Sequence, residues 1–288
     1  MIKYEKLSYL KFYQLSQWSS IHNHQLVIHN HHRIFTQSFI PYKRKGLVLI
    51  IHGYLDHSGS FSHLINSLLL DYYGVITFDL PGHRHSFGER GAINNFDEYI
   101  DILHSVLENY KSIGYNDETW SVIGHSTGCA ILFSYLQVHQ NVFDKMILAA
   151  PLVQPYLWSF SKIGVKLMGR KQKYIKRVYR RNSSDKNYLH FVRKDPLHFS
   201  TLPTNWLFAF SEWHNNTLFK IRGNETLYVI QGNKDTTVDW RHNIPFLLNR
   251  FPNSTCTLID QANHQLFNER EALREISFHL IKRILKME

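Results

Sequence analysis

Six short apolar runs, separated by stretches of helical periodicity, restrict this chain to few folds. Leu47-Val48-Leu49-Ile50-Ile51, closed by His52-Gly53, has no polar face. A strand of that composition is buried on both sides, as in a parallel sheet covered by helices. Residues 74–79, 119–123, 145–150, 226–230 and 255–259 repeat the pattern. Between them, Phe61, Leu64, Ile65, Leu68 and Leu69 recur at three- and four-residue spacing, as do Phe96, Ile100, Leu103, Val106, Leu107 and Tyr110. That spacing gives a helix one apolar face. The alternation predicts the α/β class, a mostly parallel doubly wound sheet with right-handed crossovers. Residues 24–40, polar and aromatic by turns, predict an antiparallel hairpin ahead of it.

The alternation stops after Pro151, and about seventy aromatic and basic residues of helical pattern precede the next run. An insertion there lies over the strand ends where sites in open sheets form, so residues 152–224 are expected to be a helical cap on one domain spanning 1–288. The net charge of +10 is confined to this insertion, which carries 14 of the 33 lysines and arginines and three of the 23 acidic residues. The remainder is close to neutral, and no nucleic-acid-binding motif accompanies the excess, so no nucleic-acid partner is expected. No apolar run is long enough to span a bilayer. Met1-Ile2-Lys3-Tyr4-Glu5-Lys6 lacks the apolar core of a signal peptide. Cys129 and Cys256 show neither disulfide nor zinc spacing and read as small core residues. A cytoplasmic location is the expectation.

Gly124-His125-Ser126-Thr127-Gly128 falls between the run at 119–123 and the apolar helix pattern Cys129 to Leu136. A serine in so sharp a strand-to-helix turn is held exposed beside a helix N-terminus. Side chains at Gly124 or Gly128 would collide with neighbouring backbone. A serine hydroxyl needs a histidine to take its proton and an acid to orient that histidine. In strand–turn–helix hydrolases the chain order is serine, acid, histidine. Asp235 follows the fifth run and His264 the sixth, which places both at strand C-terminal ends on the edge that carries Ser126. His52-Gly53 ends its own strand there. The N–H of Tyr54 together with that of Thr127 would form a two-donor oxyanion hole. Asp239 and Asp260 are the rival acids, the first at a helix start that suits an N-cap, the second on the wrong strand. His242 and His279, the rival bases, fall in helical patterns.

On these residues the chain resembles the α/β-hydrolase superfamily, and within it the monoacylglycerol lipase and lysophospholipase branch, also called the serine aminopeptidase-type hydrolases. The likeness rests on His52-Gly53-Tyr54-Leu55-Asp56-His57-Ser58-Gly59, on Asp79-Leu80-Pro81-Gly82-His83-Arg84-His85-Ser86, and on Gly88-Glu89-Arg90-Gly91. Asp195-Pro196-Leu197 and Ala262-Asn263-His264 add to it. The branch usually has glycine where this chain has Arg84, and a tiny residue where it has Cys129. The resemblance implies an α/β-hydrolase fold and a serine esterase without a metal or organic cofactor. Its substrate would be a single-chain lipid, a lysophospholipid or a monoacylglycerol, and the cap cations favour the phosphate-bearing one.

Tyr156, Trp158, Phe160, Trp206, Phe208, Phe210 and Trp213 are expected to line an acyl tunnel. Arg170, Lys171, Lys173, Lys176, Arg177, Arg180 and Arg181 crowd one expected helix, with Tyr174, Ile175, Val178 and Tyr179 on another face. Such a helix could rest on an anionic membrane, or simply bury its apolar face and solvate its charges. A small-ester esterase and an N-terminal peptidase remain alternatives within the fold. The peptidase would need Asp185, Asp195 or Glu212 to hold the substrate amine. A binding protein that lost catalysis is the non-enzymatic alternative. The histidines at 22, 24, 29, 31 and 32 have no acidic or cysteine neighbour in sequence, so the hairpin is expected to be polar and exposed, without a metal. Asp79 and His83 are expected to brace a loop, and Glu269 to cap the final helix.

Overall fold

The computed structural model describes residues 5–158, 172–177, 181–195 and 199–287. Each apolar run forms a strand: β3 (Leu47–Ile51), β4 (Gly74–Phe78), β5 (Trp120–His125), β6 (Met146–Ala149), β9 (Leu227–Gly232) and β10 (Thr255–Ile259). The expected hairpin is β1 (His22–His29) paired antiparallel with β2 (His32–Phe39). Together they make one eight-stranded sheet in the order β1-β2-β4-β3-β5-β6-β9-β10. Only the pairings of β2 are antiparallel.

Period-two alternation explains why β3 to β6 carry no polar face. Leu47, Leu49 and Ile51 enter one apolar cluster and Val48 and Ile50 another, on the opposite side of the sheet. The first side is covered by α3 (Asp97–Tyr110) and α4 (Thr127–Tyr135), the second by α1 (Lys6–Phe12), α2 (Ser62–Leu70) and α8 (Glu271–Leu285). All five β3 residues are fully buried. Burying a side chain of that size stabilises the fold by about 1.5–3 kcal/mol.

Between β6 and β9 the described residues form β7 (Tyr174–Lys176), α5 (Lys186–Lys194), β8 (Thr201–Pro203) and α6 (Thr204–Asn216). One expectation fails here. Where a basic helix was expected across 170–181, Tyr174–Lys176 is a strand paired antiparallel with Thr201–Pro203, and Lys173, Arg177 and Arg181 are described but lie in no helix. Tyr174 and Ile175 favour a pleated surface, and a partner strand 25 or so residues away outweighed the helical spacing. Arg170, Lys171, Val178, Tyr179 and Arg180 lie outside the described residues. The last helix of the body before α8 is α7 (Trp240–Arg250).

The hairpin also differs from expectation. Glu98, from the first turn of α3, reaches His32 with Oε2 at 2.9 Å from Nε2. An acidic neighbour absent from the local sequence is supplied by an element 66 residues away.

Candidate active site

Ser126 sits between β5 and α4 at φ 53°, ψ −113°, a left-handed backbone that a non-glycine residue adopts only under constraint. The constraint is visible. Ser126 N donates to Ala149 O at 3.0 Å, and Leu152 N donates to Ser126 O at 3.2 Å. The helix then presses on β3 and β5. A Cβ on Gly128 would stand 2.2 Å from Ile51 O, and one on Gly124 2.9 Å from Cys129 N. The turn closes only because neither residue has a side chain.

Asp235 and His264, each past a strand end, meet. His264 Nδ1 lies 2.7 Å from Asp235 Oδ2, with both side chains almost fully buried. Gln231 Nε2 donates to the same oxygen at 3.1 Å. Asp235 Oδ1 accepts the N–H groups of Thr237 at 2.7 Å and Val238 at 3.2 Å. Burial alone would raise the Asp235 pKa, but His264 and these donors outweigh it, and the net shift is downward. The carboxylate therefore stays ionised. Asp239 is at the N-cap position of α7, where its side chain receives Gln154 instead, and Asp260 bonds Asn233 at the surface. Neither approaches His264.

His125, the residue before the serine, couples the elbow to the histidine loop. Its Nε2 faces His264 O at 3.1 Å, and the two rings lie 4.9 Å apart. Burial, and next the proximity of His264, push its pKa down to about 4, so it is a neutral donor.

The loop after β3 is held by two buried neutral histidines. Leu80 N donates to His52 Nε2 at 2.9 Å, and Leu55 N to His83 Nε2 at 3.2 Å. Their Nδ1 atoms face Gly53 O and Pro81 O. Burial lowers both pKa values, that of His83 to about 3. Gly53 lets this loop pass the serine, since a Cβ there would stand 3.0 Å from Ser126 Cβ. Among the described residues, no group accepts the N–H of Tyr54 or of Thr127. Asp79 receives Ser58 N and His85 N, so it braces this loop as expected of it.

Gly53, Tyr54, Ser126, Thr127 and His264 all line one cavity of about 900 Å³. The arrangement can deprotonate a hydroxyl and offer two N–H groups to a developing oxyanion. The model of the family Hydrolase_4, described as serine aminopeptidase, S33, matches residues 42–271.

The chain belongs to this family. It is 27% identical over 115 residues to the monoacylglycerol lipase of Mycolicibacterium smegmatis, a match covering 39% of this chain and 40% of that one. It is 21% identical over 268 residues to the probable lysophospholipase L2 of Haemophilus influenzae, covering 84% of each. The structure superposes on a soluble variant of monoglyceride lipase from Saccharomyces cerevisiae with a TM-score of 0.78, at 19% identity over 92% of this chain and 95% of that one. The fold is that of an α/β-hydrolase.

The departures of this chain from the family pattern have structural reasons. Arg84, where the branch usually has glycine, lies at φ +48°. That is the left-handed region a glycine enters without cost. The arginine is retained by its partners: Nη1 donates to Asp195 Oδ1 at 3.0 Å, and the guanidinium lies over the Tyr13 ring. Asp195 Oδ2 also meets Tyr13 OH at 3.0 Å and His57 Nε2 at 3.3 Å. This buried cluster ties the segment between β6 and β9 to the body beside the cavity. Cys129 fits under the elbow by directing Sγ to Gly124 O at 3.1 Å.

Burial lowers the His57 pKa, but Asp195, with Asp56 and Asp79 nearby, more than reverses this, and the net shift is upward. A raised pKa means that the charged histidine stabilises the fold fully below its unfolded pKa of about 6.5, and that this contribution is lost as pH rises through the higher folded value. His57→Gln is therefore expected to lower the urea midpoint more at pH 6 than at pH 9. Equal losses at both pH values would mean that the charge of His57 contributes nothing.

Two further expectations are corrected by the α/β-hydrolase fold. Of the aromatic residues expected to line a tunnel, Trp206 alone among the described ones reaches the cavity. Trp158, Phe210 and Trp213 are buried in the body core, where Trp213 stacks on Phe96 at 4.6 Å. Tyr156 is exposed, Phe208 lies in a second, smaller cavity, and Phe160 is outside the described residues. One helix face cannot both seal α6 onto α3 and line a cavity. The apolar lining comes from elsewhere, including Leu152, Ile175, Leu202, Phe191 and, from the unanticipated N-terminal helix region, Phe12 and Tyr13. Glu269 does not cap α8, which starts after Arg270. It is buried and receives Asn263 N at 2.5 Å together with Ser184 N at 2.7 Å, so it fastens the His264 loop to the segment ahead of α5.

Proposed function

We propose that this protein hydrolyses carboxylic esters of single-chain lipids through an acyl-enzyme on Ser126. The reading is carried by His264, which lines one cavity with Ser126 and lies 2.7 Å from the buried Asp235. His264 takes the serine proton as the hydroxyl attacks the ester carbonyl. The N–H groups of Tyr54 and Thr127 receive the oxyanion, as a helix start and a strand end suit them to do. His264 then protonates the leaving alcohol, and water attacks the acyl-enzyme with His264 as base. Every group required is a side chain or backbone atom of this chain.

A cavity of about 900 Å³ lies within the range for a drug-sized or single-chain ligand. Its lining is mixed: apolar around Trp206, Leu152 and Phe191, cationic at Lys176, Arg177, Arg181, Arg193 and Arg274. Those cations favour a phosphate-bearing headgroup, hence a lysophospholipid over a monoacylglycerol. The carboxylates available to the N-terminal peptidase alternative are largely engaged or outside the cavity. Asp195 is engaged by Arg84, His57 and Tyr13. Asp185 caps α5 by accepting Asn187 N and Tyr188 N, and Glu212 lies outside the cavity. No described helix is long and apolar enough to cross a membrane, and within the stretch expected to be a basic amphipathic helix Tyr174–Lys176 is a strand.

The test is fatty-acid release from lysophospholipids and monoacylglycerols of matched acyl chain. Release is expected with the wild type, faster from the lysophospholipid, and absent from Ser126→Ala. A fluorophosphonate probe is expected to label the wild type and not the variant. Cleavage of short esters alone would leave a small-ester hydrolase, and absence of labelling would leave a binding protein.

A further inference from the structure

We propose that the tip of the β1–β2 hairpin and the start of α3 form a binding site for a borderline divalent transition metal such as zinc, with His31, His32 and Glu98 as ligands. One ligand atom from each residue lies within 4.8 Å of the other two. In a tetrahedral sphere with bonds of about 2.0–2.2 Å, ligand atoms stand roughly 3.4 Å apart. His32 Nε2 and Glu98 Oε2 are already 2.9 Å apart, and the rings of His31 and His32 are 4.0 Å apart. A small movement of the exposed His31 side chain toward the buried His32 and half-buried Glu98 would close the sphere around an ion.

The scaffold is assembled without the metal. His29 pairs with His32 across a two-residue turn, and Asn30 supplies the positive φ of 50° that such a turn needs. The hairpin is docked on α3 independently, through Ser105 Oγ to His29 Nδ1 at 2.6 Å and Gln25 Nε2 to Asn109 Oδ1 at 2.8 Å. Glu98 is oriented as well, since its Oε1 accepts Asn95 N at 3.0 Å and leaves Oε2 directed at His32. A hydrogen-bonded carboxylate of this kind is what supports metal ligands from behind. His31 is exposed and Glu98 half-buried, so an ion has a path in and water can complete its coordination. Two imidazoles and one carboxylate suit zinc, nickel or copper better than calcium or magnesium, which prefer oxygen ligands alone. The site is on the strand three places from β5 in the sheet, separate from Ser126. Its consequence would be a cross-link between the hairpin and α3.

Zinc alone is the probe. Metal-stripped protein is titrated with zinc against a chromophoric chelator at neutral pH in a non-coordinating buffer, and melting is followed with and without zinc. One site per chain is expected, with a zinc-dependent rise in Tm. His31→Asn removes an exposed ligand, and Glu98→Gln keeps the acceptor for Asn95. Each is expected to weaken zinc roughly tenfold or more and to abolish the rise in Tm, while the metal-free melt of His31→Asn stays that of the wild type. Cobalt in place of zinc is expected to give a visible absorption band that His31→Asn removes. Zinc affinity equal in the wild type and in the combined His31→Asn, His32→Asn, Glu98→Gln variant overturns the proposal. So does tight binding lost only in His139→Gln, which would assign the metal to the stacked His104–His139 pair.

Discussion

Asp235→Asn is expected to lower kcat for ester hydrolysis by about 10⁴-fold while the cavity keeps its shape. The two backbone donors decide this. Thr237 N and Val238 N both point at Oδ1, so the amide oxygen of an asparagine takes that place and its NH₂ takes the place of Oδ2. A donor would then face His264 Nδ1, where a carboxylate oxygen now lies at 2.7 Å. The histidine would carry its proton on Nε2 and could no longer accept one from Ser126. The negative charge that stabilises the imidazolium would be lost as well. Burst kinetics with an activated ester should show acylation slowed by this factor with KM little changed. A kcat within tenfold of the wild type would remove Asp235 from the mechanism.

Gly128→Ala is expected to destabilise the protein by about 3 kcal/mol or more, at the upper end of what overpacking costs. The added Cβ would sit 2.2 Å from Ile51 O, 2.8 Å from Ile51 C and 3.0 Å from His52 O. All three are backbone atoms of β3 and its end, which has no free rotamer to yield. Either α4 lifts from the sheet or the end of β3 moves, and with it the loop that offers Tyr54 N–H. Activity should therefore fall together with the urea midpoint. Cys129→Ala, one residue along the same helix, is the comparison. It removes the Sγ contacts to Gly124 O and Ala149 O together with one buried core atom and is expected to cost about 1 kcal/mol. Similar midpoints for the two variants would show that the helix can shift without penalty.

Most of what positions the candidate site was legible in the sequence because it is local. A strand such as β3 announces itself by five consecutive apolar residues, since both faces of the sheet are covered. The elbow announces itself because only a residue without a side chain can stand where Gly124 and Gly128 stand. Chain order put forward Asp235 and His264 as candidates, and they meet despite a separation of 29 residues, because strand ends in a parallel sheet share an edge.

The features that were missed depend on pairings between distant segments. Composition alone gave the residues between β6 and β9 an aromatic tunnel and a basic helix. The three-dimensional arrangement uses Phe210 and Trp213 as core and pairs Tyr174–Lys176 with Thr201–Pro203. Tyr13, Arg84, His57 and Asp195 meet across as many as 182 residues, and nothing in the neighbourhood of any one of them signals the others. Glu269 illustrates the same limit, because an acid ahead of a helix reads as a cap until the loop it fastens is seen. So does Glu98, an acidic partner for His32 that comes from 66 residues away. Periodicity and backbone sterics are properties of adjacent residues, and they determined the sheet, the elbow and the order of the catalytic candidates. Which charge neutralises which, and which apolar face lines a cavity, follow from contacts between elements far apart in the chain, and those only the tertiary structure decided.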